Sequence, residues 1–121
     1  MLKFTDRHEW LKLDGEVAVV GITRHAAQGA GPFISVELPK LGAILKTGDR
    51  AALLVSALSA LDAVAPADGE VIEINQDAID EPSQINADPQ GKGWLYRLRV
   101  DDAAALNGLM DEQAYRQFVA A

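Results

Sequence analysis

Residues 51–65 read AALLVSALSALDAVA, and this stretch decides the fold of the chain. Leu54, Leu58, Leu61 and Ala65 recur at the spacing of one face of an α-helix. Alanine and leucine are also strong helix formers. Local propensity therefore predicts an amphipathic helix over this stretch.

The segments on either side are dominated by strand and turn patterns. Residues 11–20 read as two short strands around an Asp14-Gly15 turn, where glycine accepts the positive φ that the turn needs. Further strands are predicted at 33–38, 70–74 and 93–100, and the polar stretch 75–93 is predicted to be mostly loop. Thr23 is expected to cap a short helix over 24–28, and a last helix is predicted over 112–119.

One tetrapeptide occurs twice, Asp-Gly-Glu-Val at 14–17 and again at 68–71, each time before an aliphatic strand. Two β-turns that use the same residues by chance would explain this repeat. A domain of two similar halves that face each other as a sandwich would explain it too. The residues alone leave both explanations open.

Composition limits the classes of function. The chain has 121 residues, a net charge of −7 and no cysteine. An acidic surface repels phosphate backbones and anionic lipid, which argues against nucleic-acid and membrane partners and leaves basic protein surfaces. The absence of cysteine is usual for a cytoplasmic protein, and residues 1–6 lack the apolar run of a signal peptide. A cytoplasmic location is therefore expected.

No group of residues has the spacing of a catalytic or metal site. His8 and His25 are the only histidines, and no second histidine lies at the helical spacing of a metal motif. His8 is expected at the surface or at a strand edge, and His25 on the short helix. The serines show no pattern of an activated nucleophile, and the acids of 75–93 lack the spacing of a calcium loop. The sequence therefore predicts no catalytic residue and no metal ligand.

An ordered set of short motifs runs through the whole chain. The set consists of His8-Glu9-Trp10, Val20-Gly21-Ile22-Thr23, His25-Ala26, Val36-Glu37-Leu38-Pro39, Ala65-Pro66, Gly69-Glu70-Val71, Glu81-Pro82, Asn86, Pro89, Gly93-Trp94-Leu95, Ala114-Tyr115 and Phe118. In order and spacing the chain resembles the H protein of the glycine cleavage system, from Leu2 to nearly its end.

The resemblance implies a mainly β fold, the lipoyl-domain barrel-sandwich hybrid of two antiparallel sheets. It implies one domain over 1–121, with the sandwich at about 2–100, a short helix in the N-terminal half and a C-terminal helix at about 111–119. It also implies strand, tight turn and strand over 51–65, with the tip near Ala57 and Leu58, against the helix that local propensity predicts.

The resemblance further implies what the tip should carry. In the family a lysine within a Glu-Ser-Val-Lys-Ala run is joined to lipoic acid, and the arm carries an aminomethyl group between glycine decarboxylase and aminomethyltransferase. Aligned without a gap from Ala65-Pro66, Leu58 stands at the lysine position and Val55 at the glutamate position. An isobutyl group cannot form an amide, so no lipoyl cofactor is expected. Lys46, the nearest lysine, is a whole strand away.

Three hypotheses for the function follow. The first is an unlipoylated, non-catalytic relative that binds protein through Leu58 and Leu61, with Glu9 and Asp62 remaining from the family's arm-docking cleft. Its partners would be glycine cleavage or lipoate-handling enzymes, or a second copy through the 55–61 hairpin. The second is a genuine H protein with its lipoyl group elsewhere. A weaker third is an enzyme that uses Glu9 and Asp62 as acid and base. Leu58 could also fold back onto its own domain.

Overall fold

The computed structural model describes residues 1–120 as two antiparallel β-sheets, one of six and one of three strands, with short helices around them. The predicted mainly β fold with two antiparallel sheets is confirmed. Within residues 1–120, every helix is too short or too polar to cross a bilayer.

The larger sheet has the strand order β1-β2-β3-β9-β8-β5. Its strands are β1 (Leu2–Phe4), β2 (Glu9–Asp14), β3 (Val17–Ile22), β5 (Ile44–Leu45), β8 (Gly69–Ile74) and β9 (Tyr96–Val100). The predicted hairpin at 11–20 is therefore confirmed as β2 and β3, and the turn glycine Gly15 has φ 64°.

The smaller sheet has the order β4-β6-β7 and contains the stretch 51–65. Its strands are β4 (Phe33–Glu37), β6 (Arg50–Ser56) and β7 (Ala60–Val64). The helix predicted from local propensity is wrong, and the strand, turn and strand implied by the resemblance are confirmed. Ala52, Leu54 and Ser56 are buried at every second position of β6, a period that a strand can bury and a helix cannot.

Short helical segments pack against the strands of both sheets. They are α1 (Arg24–Ala30), α2 (Gln76–Asp80), α3 (Ser83–Ala87), a 3-10 helix (Ala103–Gly108) and α4 (Glu112–Ala120). Thr23 caps α1 as predicted, by accepting from the amide of Ala26, although α1 runs two residues further than the predicted 24–28. The loop predicted for 75–93 is wrong in part, because this stretch contains both α2 and α3.

The core lies between the two sheets. Leu11 and Val20 from the large sheet, and Val36 and Leu54 from the small one, belong to one cluster of buried apolar side chains. A second, smaller cluster joins Phe4, Trp10 and Tyr115, and therefore packs α4 against the first strands of the large sheet.

The two Asp-Gly-Glu-Val copies lead into β3 and β8, which pair with opposite edges of β9. Val17 and Glu70 are both register partners of Arg99. The glycines nevertheless differ in role. Gly15 provides the positive φ of a turn, whereas a Cβ at Gly69 would collide with the backbone oxygen of Arg99, so that Gly69 allows close approach of two strands.

Candidate functional site

The turn between β6 and β7 is fixed by the side chain of Ser56. Its Oγ accepts from the amides of Ser59 at 3.0 Å and Leu58 at 3.3 Å, and it donates to the carbonyl of Ala30 at 2.7 Å. One buried hydroxyl thus closes the turn and ties it to the end of α1. The tip near Ala57 and Leu58 lies where the resemblance implied.

Leu58 projects from this turn into solvent. Its side chain is 90% exposed, the highest value among the large apolar residues that the structure exposes. Ile34 is 65% exposed and follows Phe33, which pairs with Ser56 at the base of the turn. Leu58 therefore does not fold back onto its own domain, and a second apolar side chain is exposed at the same end of the small sheet.

Leu61 is placed differently from Leu58. It lies opposite Leu54 in the β6–β7 pair, is half-buried and packs against the main core. Leu58 lies on the turn outside both strands, whereas Leu61 lies on β7 with its side chain against the core. The structure thus exposes Leu58 to solvent and places Leu61 partly in the core.

The positions around the tip carry neither an amine nor an acid. Val55 is half-buried and pairs with Ala60. Lys46 lies beyond the other end of β6, 3.9 Å from the carboxylate of Asp68. Seven strand residues separate that end from the turn, a span of roughly 20 Å. Lys46 therefore cannot replace a lysine at the tip.

A cleft opens at the other end of β7, where Glu9 forms part of its wall. The lining consists of Thr5, Asp6, Arg7, Glu9, Thr47, Gly48, Val64, Ala65, Pro66 and Leu109. Glu9 is only 1% exposed, and its carboxylate accepts from the hydroxyl of Thr5 at 2.7 Å and the amide of Val64 at 3.2 Å. Burial raises the pKa of Glu9, and these two hydrogen bonds partly offset that rise.

The carboxylate of Glu9 also affects the buried phenol of Tyr96. The side chain of Tyr96 is fully buried, and within residues 1–120 its hydroxyl has no hydrogen-bond partner. Burial, and secondly the nearby Glu9 carboxylate, raise the pKa of the Tyr96 phenol. A protonated Glu9 would remove that second contribution.

Asp62 does not line this cleft. It lies two residues before Val64 on β7, with an oxygen 3.0 Å from Nε of Arg50. The contact lacks hydrogen-bond alignment, and both side chains are well exposed, so it stabilises little. The structure therefore does not bring Glu9 and Asp62 together as an acid and base pair, and the buried Glu9 is not displayed for contact.

A cluster around His8 was not anticipated from the sequence. His8 has a φ of 69° and its ring lies 4.6 Å from the ring of His25, between centroids. Its Nδ1 is 2.8 Å from the hydroxyl of Tyr115, which is 2.7 Å from the hydroxyl of Thr23. Only long-range packing joins these four residues, so no local spacing could have revealed them. Across residues 1–120 no three potential metal-binding side chains converge.

The family model described as "Glycine cleavage H-protein" matches residues 2–121. This chain belongs to the glycine cleavage H-protein family. A glycine cleavage system H protein from Mycobacterium marinum, known from a crystal structure, has 30% sequence identity to this chain. The two structures superpose with a TM-score of 0.90, and the match covers 99% of this chain and 97% of that one.

Membership confirms the family inferred from the motif order. H proteins are carrier proteins rather than catalysts, so the expectation of a non-enzyme agrees with the family. Within this H-protein fold the exposed Leu58 lies on the turn at the end of β6, and the cleft beside Glu9 lies at the other end of β7.

Proposed function

We propose that this chain is an H-protein relative that carries no lipoyl group and binds another protein through its exposed hairpin turn. The observation that supports the proposal is Leu58, an apolar side chain 90% exposed on the turn where the family's motif has a lysine. The whole domain over 1–121 would then act as one binding unit in the cytoplasm.

The lack of a lipoyl group follows from the chemistry of the attachment. Amide formation needs a primary amine, and lysine is the side chain that provides one. The lysines of the chain are Lys3, Lys12, Lys40, Lys46 and Lys92. All of them lie outside the hairpin 55–61, so the protruding turn cannot be acylated on a side-chain nitrogen.

The exposed turn has the properties of a contact site. Burying a leucine in a partner is worth about 1.5–3 kcal/mol. The Ser56 hydrogen bonds hold the turn in one conformation, so little conformational entropy is lost when it binds. The partner would be a protein: an enzyme that recognises H proteins, such as a glycine cleavage or lipoate-handling enzyme, or a second copy of this chain.

Intact mass tests the missing attachment. The protein is produced together with a lipoate ligase and lipoate, beside the variants Leu58→Lys and Val55→Glu/Leu58→Lys. We expect no mass gain for the wild type, partial modification of the single variant, and more of the double one, because Val55→Glu restores the acid of the family's run. A lipoyl group on the wild type would favour the alternative, a genuine aminomethyl carrier.

Site-specific crosslinking tests the contact. A photoreactive amino acid replaces Leu58 in the native cell, and the control carries it at Glu16, which is exposed on a turn of the large sheet. We expect a discrete crosslinked partner from position 58 that is absent from position 16. Unlabelled wild type should compete for the partner and Leu58→Asp should not. Identical products from both positions would contradict the proposal.

A further inference from the structure

Four side chains from three separate elements meet where α4 docks on the sandwich. His8 precedes β2, Thr23 caps α1, His25 lies on α1, and Tyr115 comes from α4. Backbone hydrogen bonds fix the position of His8, whose amide donates to Thr5 at 3.2 Å and whose carbonyl accepts from Thr23 at 2.9 Å. A left-handed φ at a residue other than glycine persists only where its surroundings hold it.

The hydroxyls of Thr23 and Tyr115 form a chain of hydrogen bonds that ends at Nδ1 of His8. Thr23 Oγ1 accepts from the amide of Ala26, and its own proton needs an acceptor. Every group is satisfied if Thr23 donates to Tyr115 and Tyr115 donates to an unprotonated Nδ1 of His8. In this arrangement the neutral His8 carries its proton on Nε2.

A proton on Nδ1 of His8 reverses this chain. Tyr115 must then accept from His8, and it either donates to Thr23 or accepts from Thr23 as well and leaves its own proton without an acceptor. Thr23 is 1% exposed, and within residues 1–120 its hydroxyl has no third partner to receive its proton. Protonation therefore strands a buried hydroxyl hydrogen, which is costly away from water.

The charged groups around His8 add to the same effect. Burial lowers the pKa of His8 first, and the neighbouring His25 lowers it further, while Asp6 of the preceding loop partly offsets both. From α4 the ring meets Tyr115 and Phe118, with centroid distances of 5.8 Å to each. The charged residues of α4, Glu112 and Arg116, pair with each other at 3.4 Å.

We propose that this cluster is a proton-sensitive latch, in which protonation of the His8 ring releases the C-terminal helix from the sandwich. The ring of His25, 4.6 Å away, opposes a positive charge on His8, and the hydrogen bond from the Tyr115 hydroxyl to Nδ1 is lost when that nitrogen is protonated. The undocked state binds more protons than the docked one, so docking weakens as pH falls below the ordinary histidine pKa of about 6.5.

Release of α4 uncovers an apolar surface. The Tyr115 ring stacks on Phe4 at 4.5 Å, and Phe4 is only 2% exposed. Trp10 belongs to the same buried cluster. The latch therefore controls access to an apolar face of the large sheet that is separate from the hairpin turn.

Hydrogen exchange of the full-length protein tests the latch. Exchange of the α4 amides is measured at pH 7.5 and pH 5.0, corrected for intrinsic rates, with the β3 amides as the internal reference for global opening. In the wild type we expect α4 opening to rise at least about fivefold at the lower pH. This factor corresponds to the lower end of the free-energy cost of an unpaired buried hydroxyl. The ratio should shrink in His25→Gln and approach one in His8→Asn/His25→Gln.

The variants keep the test decisive. His25 is exposed on a helix that tolerates glutamine, so His25→Gln should fold normally, and asparagine accepts the left-handed φ of His8. Equal α4 protection at both pH values in the wild type would overturn the proposal. The proposal would also be overturned if the pH effect on α4 opening were as large in His25→Gln and in the double variant as in the wild type.

Discussion

At the scale of single residues, Glu9 is an acid whose environment opposes its charge. Its carboxylate is 1% exposed and receives two hydrogen bonds, from Thr5 and Val64, yet burial outweighs them and raises the pKa of Glu9. A raised pKa in the folded state means that the folded protein holds the proton longer than the unfolded chain. The stabilisation is complete below the unfolded pKa near 4.5 and is lost as pH rises through the folded pKa.

We expect Glu9→Gln to remove this pH dependence. Relative to the wild type, the free energy of unfolding of the variant should rise from pH 4 to pH 7.5, by about 1.4 kcal/mol for each unit by which the folded pKa is raised. Urea denaturation at both pH values measures it. Glu16→Gln, at an exposed turn, is the matched control and should show no such change. A pH-independent difference for Glu9→Gln would contradict the expectation.

The motif order identified the positions of Leu58 and Glu9, but their surroundings came only from the fold. Two glycines likewise show that sequence alone does not reveal the surroundings of a residue. Asp14-Gly15 and Asp68-Gly69 are identical in sequence, yet the structure gives Gly15 a turn conformation and Gly69 a close contact with the Arg99 backbone. Neighbouring residues set what conformations a residue can adopt, while distant strands decide which one it takes.

At the scale of elements, the hairpin of β6 and β7 depends on Ser56. The hydroxyl is buried with its residue only 6% exposed, and it joins the turn amides to the carbonyl that ends α1. Local propensity favoured a helix here because alanine and leucine are frequent. Burial at every second residue of β6, with Phe33 and Val36 of β4 among the core residues of the same sheet, overrides that preference.

Ser56→Ala should destabilise the protein by about 1–3 kcal/mol and raise hydrogen exchange at residues 57–60, because the Ala30 carbonyl and the turn amides lose their partner. The matched control is Ser59→Ala, since the Ser59 side chain is exposed and makes only long contacts of 3.3 and 3.4 Å. Equal effects of the two substitutions would show that Ser56 does not fix the turn.

At the scale of the whole molecule, the segment 75–93 joins the two sheets. Ala78 of α2 and Ile85 of α3 are completely buried in the main core. Asn86 accepts from the amide of Phe33 and donates to the carbonyl of Gly31, both at 2.9 Å. Helices of five residues are too short to form alone, so the prolines, glycines and many polar residues of this segment predicted a loop.

Asn86→Ala should lower the free energy of unfolding by about 1–3 kcal/mol, because the start of β4 loses a donor and an acceptor partner at once. Denaturant titration should show a lower midpoint with an unchanged slope, the signature of lost stability in an intact fold. Asn107→Ala, at an exposed position of the 3-10 helix, is the control. A loss of similar size there would contradict the role given to Asn86.

The bond from Val64 to Glu9 has one further consequence. β7 is an edge strand, and unpaired amides on such an edge invite strands of other molecules to add to the sheet. The amide of Val64 already donates to the carboxylate of Glu9 from the opposite sheet. An incoming strand could therefore not pair with this amide and would meet the Glu9 carboxylate beside it. This arrangement disfavours the addition of strands from other molecules along β7, on the same hairpin whose tip exposes Leu58.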